Sequence, residues 1–399
     1  MLRLFSIIFS VLIAVSVFPQ KKEISQARSD IKKRSNLEQA EKSMRELLKD
    51  SANKGNVKIY ETLAEAIKAQ YEVANEKLYL KEPFDTASFF TTVHKMFLAY
   101  EQLDSIDMQP DKKGRVKLKY RKKNAEFLNK YRPNLYNGGV YFVRKNNFAS
   151  AYSLMDAYLD CRRQPLFAGY SEAKDSYKSA AYWTVFCGHK LSSPDSLLKY
   201  SELALTAKKY RKRTIGYMSN AYLQKKDTLG YVKMLRLGFA ENKNSKFFFT
   251  RLMDYYTSVN QLDSAMRIVD SALESDGNNT LFLFAKSNLS LNMGKYEDCI
   301  SISDSLIARN DTLPDVYLNA GVSCLNLALA LESDVANKKK NSKKILDCYK
   351  RALPYMEKYR EMAPDDKERW AKSLYNIYLK LNMGRKFEEI SGVLRKMRK

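Results

Sequence analysis

The sequence predicts an all-α solenoid of stacked antiparallel helix pairs, and three observations carry that reading. Two neighbouring stretches, 246–279 and 280–312, match at an offset of 34: Ala265 falls on Cys299, Val269 on Ser303, Ala272 on Leu306, and Asp270-Ser271 on Asp304-Ser305. Within each stretch the apolar positions recur at helical spacing twice, with a polar break between the two stripes. The chain has 14 Gly and 9 Pro in 399 residues at 45% hydrophobic content. That leaves little for a turn-rich β architecture and ample material for a core.

The stretch 246–279 shows the logic of one unit. Phe249, Leu252, Met253 and Tyr256 form one helical stripe, and Asn260-Gln261 interrupts it. Asp263-Ser264 then offers an N-cap acceptor ahead of a second stripe, Ala265, Ile268, Val269, Ala272 and Leu273. Asp276 to Asn279 ends that helix, with Gly277 suited to the left-handed position after it. Two helices this short cannot bury both stripes alone, so the next pair must stack on them. Ala265 and Ala272 let the second helix approach the first closely.

Taken from its start, the chain opens with Arg3 and an apolar run from Leu4 to Phe18, closed by Pro19-Gln20-Lys21-Lys22. The run is short of the ~20 residues a membrane span needs and suits the core of a signal peptide over 1–20. An uncleaved anchor is the alternative. The sequence therefore predicts an exported protein, periplasmic or envelope-associated. Residues 21–106 read as two hairpins. The first has Ile24, Ala27, Arg28 and Ile31, then Ala40, Met44 and Leu47 after an Asn36 cap. The second is longer and divergent, Tyr60 to Leu78 and then, from an Asp85 cap, Phe89 to Leu103.

Residues 107–131 form a basic linker and helix, with Pro110, Gly114 and eight basic residues between Lys112 and Lys123. The period returns over 132–399. Gly139 and Ala151 are the small pair expected where two helices of 132–165 touch. Trp183, Phe186 and Cys187 precede a second helix beginning at Pro194 and running through Leu197, Tyr200 and Ala204; Ile215, Met218 and Tyr222 precede one through Tyr231, Leu235 and Gly238. Asp-Ser or Asp-Thr at 195, 227 and 263 is expected to cap the second helix each time. A pair opening at Pro314 is lengthened by a Lys-rich insertion near 331–347. Trp370, Leu374, Ile377 and Tyr378 begin the last pair, closed by a helix from Phe387 to Met397 and a basic end at Arg395, Lys396, Arg398 and Lys399.

With Phe249, Leu252, Tyr256, Ala265 and Ala272 at its signature positions, the stretch resembles the tetratricopeptide repeat family. Met253 stands where that family usually has Gly. The resemblance covers residues 21–399 apart from 56–131 and 331–347. It implies a right-handed superhelix of about eight or nine pairs whose first helices line a concave groove. Carried across position by position, it places Tyr136, Arg144, Arg213, Asn220, Gln224, Asp254, Phe284, Asn288, Asn292 and Asn326 along that groove. Asn amides among apolar stems suit an extended peptide. The alternative is a groove that is plain polar surface.

Chemistry is absent where it was sought. The sequence has no G-x-S-x-G, Walker A, H-E-x-x-H or Rossmann glycine pattern. Two His, His94 and His189, and five Cys without a C-x-x-C predict no metal site and no redox motif. Cys299 and Cys324 read as small packing residues. Asn278, Asn288 and Asn310 head N-x-S/T triplets. The sequence thus predicts no enzyme and no cofactor, and a scaffold for a protein or peptide partner. The net charge of +24 keeps open a second reading, a receptor for an anionic polysaccharide or membrane surface through 112–123 and 337–344. Export disfavours nucleic acid as partner.

Overall fold

In a computed structural model, residues 20–397 are described except 112, 171–173 and 338. The signal-like run and Arg398-Lys399 lie outside the described residues. All regular structure among the described residues is helical, and the chain divides into two compact units, Met1–Met234 and Leu235–Lys399.

The first unit holds α1 (20–33), α2 (Leu37–Lys49), α3 (Val57–Tyr79), α4 (Thr86–Asp107), α5 (Arg121–Tyr131), α6 (Pro133–Arg144), α7 (Phe148–Asp160), α8 (Lys174–Lys190), α9 (Pro194–Leu198), α10 (Ser201–Leu205) and α11 (Arg211–Gln224). Helix α12 (Thr228–Glu241) crosses the boundary. The second unit continues with α13 (Lys246–Ser258), α14 (Leu262–Ser275), α15 (Thr280–Asn292), α16 (Tyr296–Arg309), α17 (Pro314–Ser333), α18 (Ser342–Met362), α19 (Lys367–Lys380) and α20 (Gly384–Met397). Counting α9 and α10 as one broken helix, the described residues make nine pairs, with α5 standing alone. This is the predicted all-α stack of helix pairs.

The long pair α3/α4 buries Leu63, Ile67 and Tyr71 on one side and Val93, Met96, Phe97 and Tyr100 on the other. Asp85 caps α4 as expected, its carboxylate accepting the Ala87 and Ser88 N–H groups at 3.0 Å each. The end of the basic linker is tied down rather than free. Asp107 Oδ2 accepts the N–H of Lys119 (2.6 Å) and Tyr120 (3.0 Å), and Arg121 forks onto Asp104 at 2.8 Å twice. Tyr131 of α5 then packs edge-on to Tyr71, with ring centres 4.9 Å apart.

The connection inside four successive pairs is a repeated backbone device. Ser192, Lys226, Asn260 and Gly294, each 34 residues after the last, take left-handed φ of 52°, 57°, 54° and 73°. In each case the next N–H returns to the carbonyl five residues back: Ser193 to Gly188 (3.0 Å), Asp227 to Tyr222 (2.9 Å), Gln261 to Tyr256 (2.8 Å) and Lys295 to Ser290 (2.8 Å). This is a Schellman closure.

It corrects the expected capping. Only Asp227 of the three acids caps a helix, its Oδ1 accepting the Gly230 N–H at 2.9 Å. Asp195 and Asp263 lie inside the first turns of α9 and α14, where the capping positions are Ser193 and Gln261 and neither side chain caps the helix. The backbone closure brings the chain into the second helix so directly that these carboxylates sit two residues too late to cap, and Asp195 instead pairs with Lys225. Asn36 makes no capping bond either and has φ 52°. Gly277 is not left-handed: α14 ends into an extended Asp276 (φ −149°), and Asn279 caps α15 by accepting from Leu281 and Phe282 N–H.

One further expectation changes. The helix predicted from Pro194 breaks at Lys199-Tyr200 into α9 and α10. Gly139 is a close-approach position, where an added Cβ would lie 2.6 Å from Cε of Met155 on α7, and Ala151 of the same helix is fully buried. Gly138 faces Phe90 of α4 in the same way, at 2.7 Å. In the second unit Gly321 meets the Met356 sulfur, and Cys324, Tyr349, Trp370, Leu374 and Ile390 share one core.

Gly188 is the tightest of these crossings to relieve, because a Cβ there would sit 2.6 Å from the Leu197 backbone nitrogen, which cannot rotate away. Gly188→Ala is expected to cost about 1–3 kcal/mol in urea unfolding. Gly392→Ala, where nothing lies within 4 Å, is expected to be neutral or to stabilise by up to ~1 kcal/mol through helix propensity. Equal effects of the two would contradict this packing.

Candidate binding faces

All ten predicted groove residues lie on first helices of pairs. In the first unit Tyr136 and Arg144 are on α6, and Arg213, Asn220 and Gln224 on α11; in the second, Asp254 is on α13, Phe284, Asn288 and Asn292 on α15, and Asn326 on α17. Arg144, Arg213, Gln224, Asp254 and Asn292 are exposed, and the other five are half-buried.

Several are already engaged. The Tyr136 ring lies 5.8 Å from Tyr158. Arg213 is raised in pKa by a hydrogen bond with the hydroxyl of Tyr182, a ring stacked flat on Tyr210 at 3.9 Å. Asn288 belongs to a polar seam inside the second unit. Its Oδ1 accepts from Asn319 Nδ2 at 2.7 Å, Asn319 also donates to Ser287 Oγ at 3.3 Å, and Ser287 meets Ser303 at 2.9 Å. The seam joins α15, α16 and α17. Reading the sequence missed Asn319, because the matching positions of the two preceding pairs hold Ala285 and Arg251. Asn292 and Asn326, also 34 apart, make no side-chain hydrogen bond among the described residues, so their amides are not committed to the protein's own bonds.

Among the described residues, three open clefts are lined by none of the ten. One of ≈ 790 Å³ between α2 and α4 includes Glu41, Lys42, Gln70 and Lys95. Burial alone would raise the Glu41 carboxyl, but hydrogen bonds from Gln70 and Arg45 and the charge of Lys95 lower it overall. A cleft of ≈ 340 Å³ on α18–α20 is lined by the ion pairs Arg360–Glu389 and Lys386–Glu357. The third, ≈ 530 Å³, lies among α2, α3 and α4 and contains Glu101.

The histidines hold no ligand set. Burial lowers the pKa of both, and His189 stacks on Tyr217 at 4.4 Å. No group of His, Cys, Asp or Glu among the described residues could hold a metal ion. All five cysteines are buried, and burial pushes the thiols of Cys187 and Cys324 up to about 12. Those two are packing groups, not nucleophiles, at neutral pH. Among the described residues of the Lys-rich insertion, Lys339, Lys340, Lys343 and Lys344 are exposed and in no ion pair, beside Val335 at 83% exposure. No described helix is long and apolar enough to cross a membrane.

No family profile matches the sequence, and no curated protein matches it. Solved structures of similar fold include MamA AMB-1, at 14% identity and TM-score 0.32, covering 47% of this chain and 92% of that one. YrrB, described as a TPR protein with an unusual peptide-binding site, is 16% identical with TM-score 0.35, covering 49% and 90%. Yeast Tom70 is 12% identical with TM-score 0.28, covering 94% and 90%. The tetratricopeptide-like character of this chain rests on its own helix pairs and their 34-residue period.

The two Asn environments separate structure from binding. Asn288→Ala strips Asn319 of its 2.7 Å acceptor and is expected to cost about 1–2 kcal/mol in denaturant unfolding. Asn292→Ala, on the same helix but exposed, is expected to stay within about 0.5 kcal/mol of the parent.

Proposed function

We propose that the chain is a non-enzymatic scaffold that holds a protein or extended peptide partner in the cell envelope. One observation carries the reading. On α15 and α17, Asn292 and Asn326 present amides at the same place in successive pairs, each uncommitted to the protein's own hydrogen bonds. Phe284, half-buried two turns earlier on α15, supplies an apolar stem on the same helix. Amides at a regular step beside apolar side chains can pair with peptide backbone while pockets take alternate side chains. The apolar run Leu4–Phe18 supports export.

A second reading, contact with an anionic glycan or membrane surface, is favoured by four unpaired lysines, 339 and 340 in the α17–α18 connection beside exposed Val335 and 343 and 344 in the first turn of α18. It predicts binding that falls steeply with salt.

The test is crosslinking and partner capture from the native host with the full chain and with the Asn292→Ala/Asn326→Ala double variant. A dominant protein partner captured by the parent and at least tenfold depleted from the variant supports the groove. A partner retained by the variant transfers the contact to another face. Capture that yields no specific protein, together with salt-sensitive binding to acidic glycan or lipid, replaces the scaffold reading with the second one.

A further inference from the structure

Of the three clefts, the one among α2, α3 and α4 has a polar group left unsatisfied. Oε1 of Glu101, on α4, is buried and has no hydrogen-bond partner among the described residues. The walls beside it are Leu48 of α2, Leu63 of α3 and Leu98 of α4, in a space of ≈ 530 Å³ that opens to solvent. A buried carboxylate oxygen without a donor is costly, and it recovers that cost by taking up a proton or a cation.

The charges around it favour a cation. Arg45 and Lys49 of α2 line the same cleft, but each already has an acid on its own helix, Glu41 at 2.9 Å and Glu46 at 2.7 Å. From α7, Asp160 acts on Glu101 as a second negative charge, and its own carboxylate takes only the neutral Gln164 amide, at 2.7 Å. Helix α3 contributes no charge to the lining, only Tyr60 and Leu63. Beside Glu101 the field is therefore negative, in a chain whose net charge is +24.

We propose that this cleft receives a lysine side chain of a bound peptide, with its methylenes along Leu48 and Leu98 and its ammonium on Glu101. An alkyl stem carrying a terminal cation matches an apolar wall that ends in a lone carboxylate. The identification of the lysine as a peptide's rests on the scaffold reading; the cleft itself does not. Burial first, and Asp160 second, push the Glu101 carboxyl up to about 7. Without the ammonium the site is thus half protonated near neutrality, and the cation must displace that proton.

The probe is lysine blocked as its N-acetyl methylamide, titrated into the full chain by calorimetry or saturation-transfer NMR, with the uncharged norleucine analogue as control. At pH 8 the lysine probe is expected to bind and the norleucine probe to bind at least tenfold more weakly. Between pH 8 and pH 6 the lysine affinity is expected to fall about tenfold, as Glu101 takes up its proton. In Glu101→Gln both the binding and its pH dependence are expected to vanish. That variant is expected to melt no lower than the parent at pH 8, because it replaces an unpartnered charge by a neutral group. Leu98→Ala, at a wall position 42% exposed, is expected to weaken binding a few-fold and keep the pH dependence.

Norleucine binding as tight as lysine, affinity unchanged from pH 8 to 6, undiminished binding to Glu101→Gln, or no lysine binding at pH 8 each overturns the proposal. Partner capture through Asn292 and Asn326 is scored separately. Loss of either result leaves the other standing.

Discussion

Every pair in this chain depends on a neighbour, because its two helices carry apolar stripes that one contact cannot cover. Helices α13 and α14 have 13 and 14 residues, lengths at which an isolated helix is marginal in water. Their stripes become stable only when Ala265, Val269 and Ala272 are fully buried on one side and Phe249 meets Phe282 of the next pair at 4.5 Å. The small residues decide how close the helices come. Where the second helix offers a large side chain, as at Met155 and Met356, the first offers glycine, at Gly139 and Gly321. Stability is then shared between adjacent pairs and not gathered in one centre.

The regularity of the stack has a second source, less visible in composition. Four turns at steps of 34 are closed by the same left-handed residue and the same backbone bond, although the residue is Ser, Lys, Asn and Gly in succession. Left-handed φ costs an ordinary side chain about 1–2 kcal/mol, so the closure is retained at Lys226 and Ser192 because the carbonyl it satisfies would otherwise be orphaned. The residue directly after the turn takes the capping position: Asp227 stands there and caps, whereas Asp195 and Asp263 stand two residues further on, inside the first helical turn, and do not.

Helix pairing, period and the long hairpin from Tyr60 to Leu103 were legible because apolar spacing records which face is buried. The buried states of Ala265, Val269, Ile215, Met218, Trp370 and Leu374 follow directly from that spacing. Turn geometry was not legible, since Lys226 and Ser192 carry no residue-type signal for left-handed φ. Neither was the polar seam. Asn319 breaks the period of the apolar pattern and becomes meaningful only when Asn288 and Ser287 are seen beside it. The ten residues placed by the resemblance all lie on first helices of their pairs, but sequence position could not distinguish an amide bound inside the stack, Asn288, from one left outside it, Asn292. The Glu101 cleft was invisible for the same reason: its lining combines α2 with Gln164 beyond α7 and with the long α3 and α4, which do not keep the 34-residue period.

That last point bears on where this chain can vary its function. The 34-residue pairs are held to a fixed spacing by glycine crossings and turn closures, so their interior tolerates little. The lengthened pairs, α3/α4 at 23 and 22 residues and α17/α18 at 20 and 21, are released from that spacing. One carries the unpartnered Glu101 and the other the unpaired lysines. In the other two clefts Glu41 is taken up by Gln70, Arg45 and Lys95, and Glu389 by Arg360. A carboxylate that finds three donors within its own unit serves the fold. One that is buried with none serves whatever brings a donor to it, and the chain has placed such a group where the repeat no longer dictates the packing.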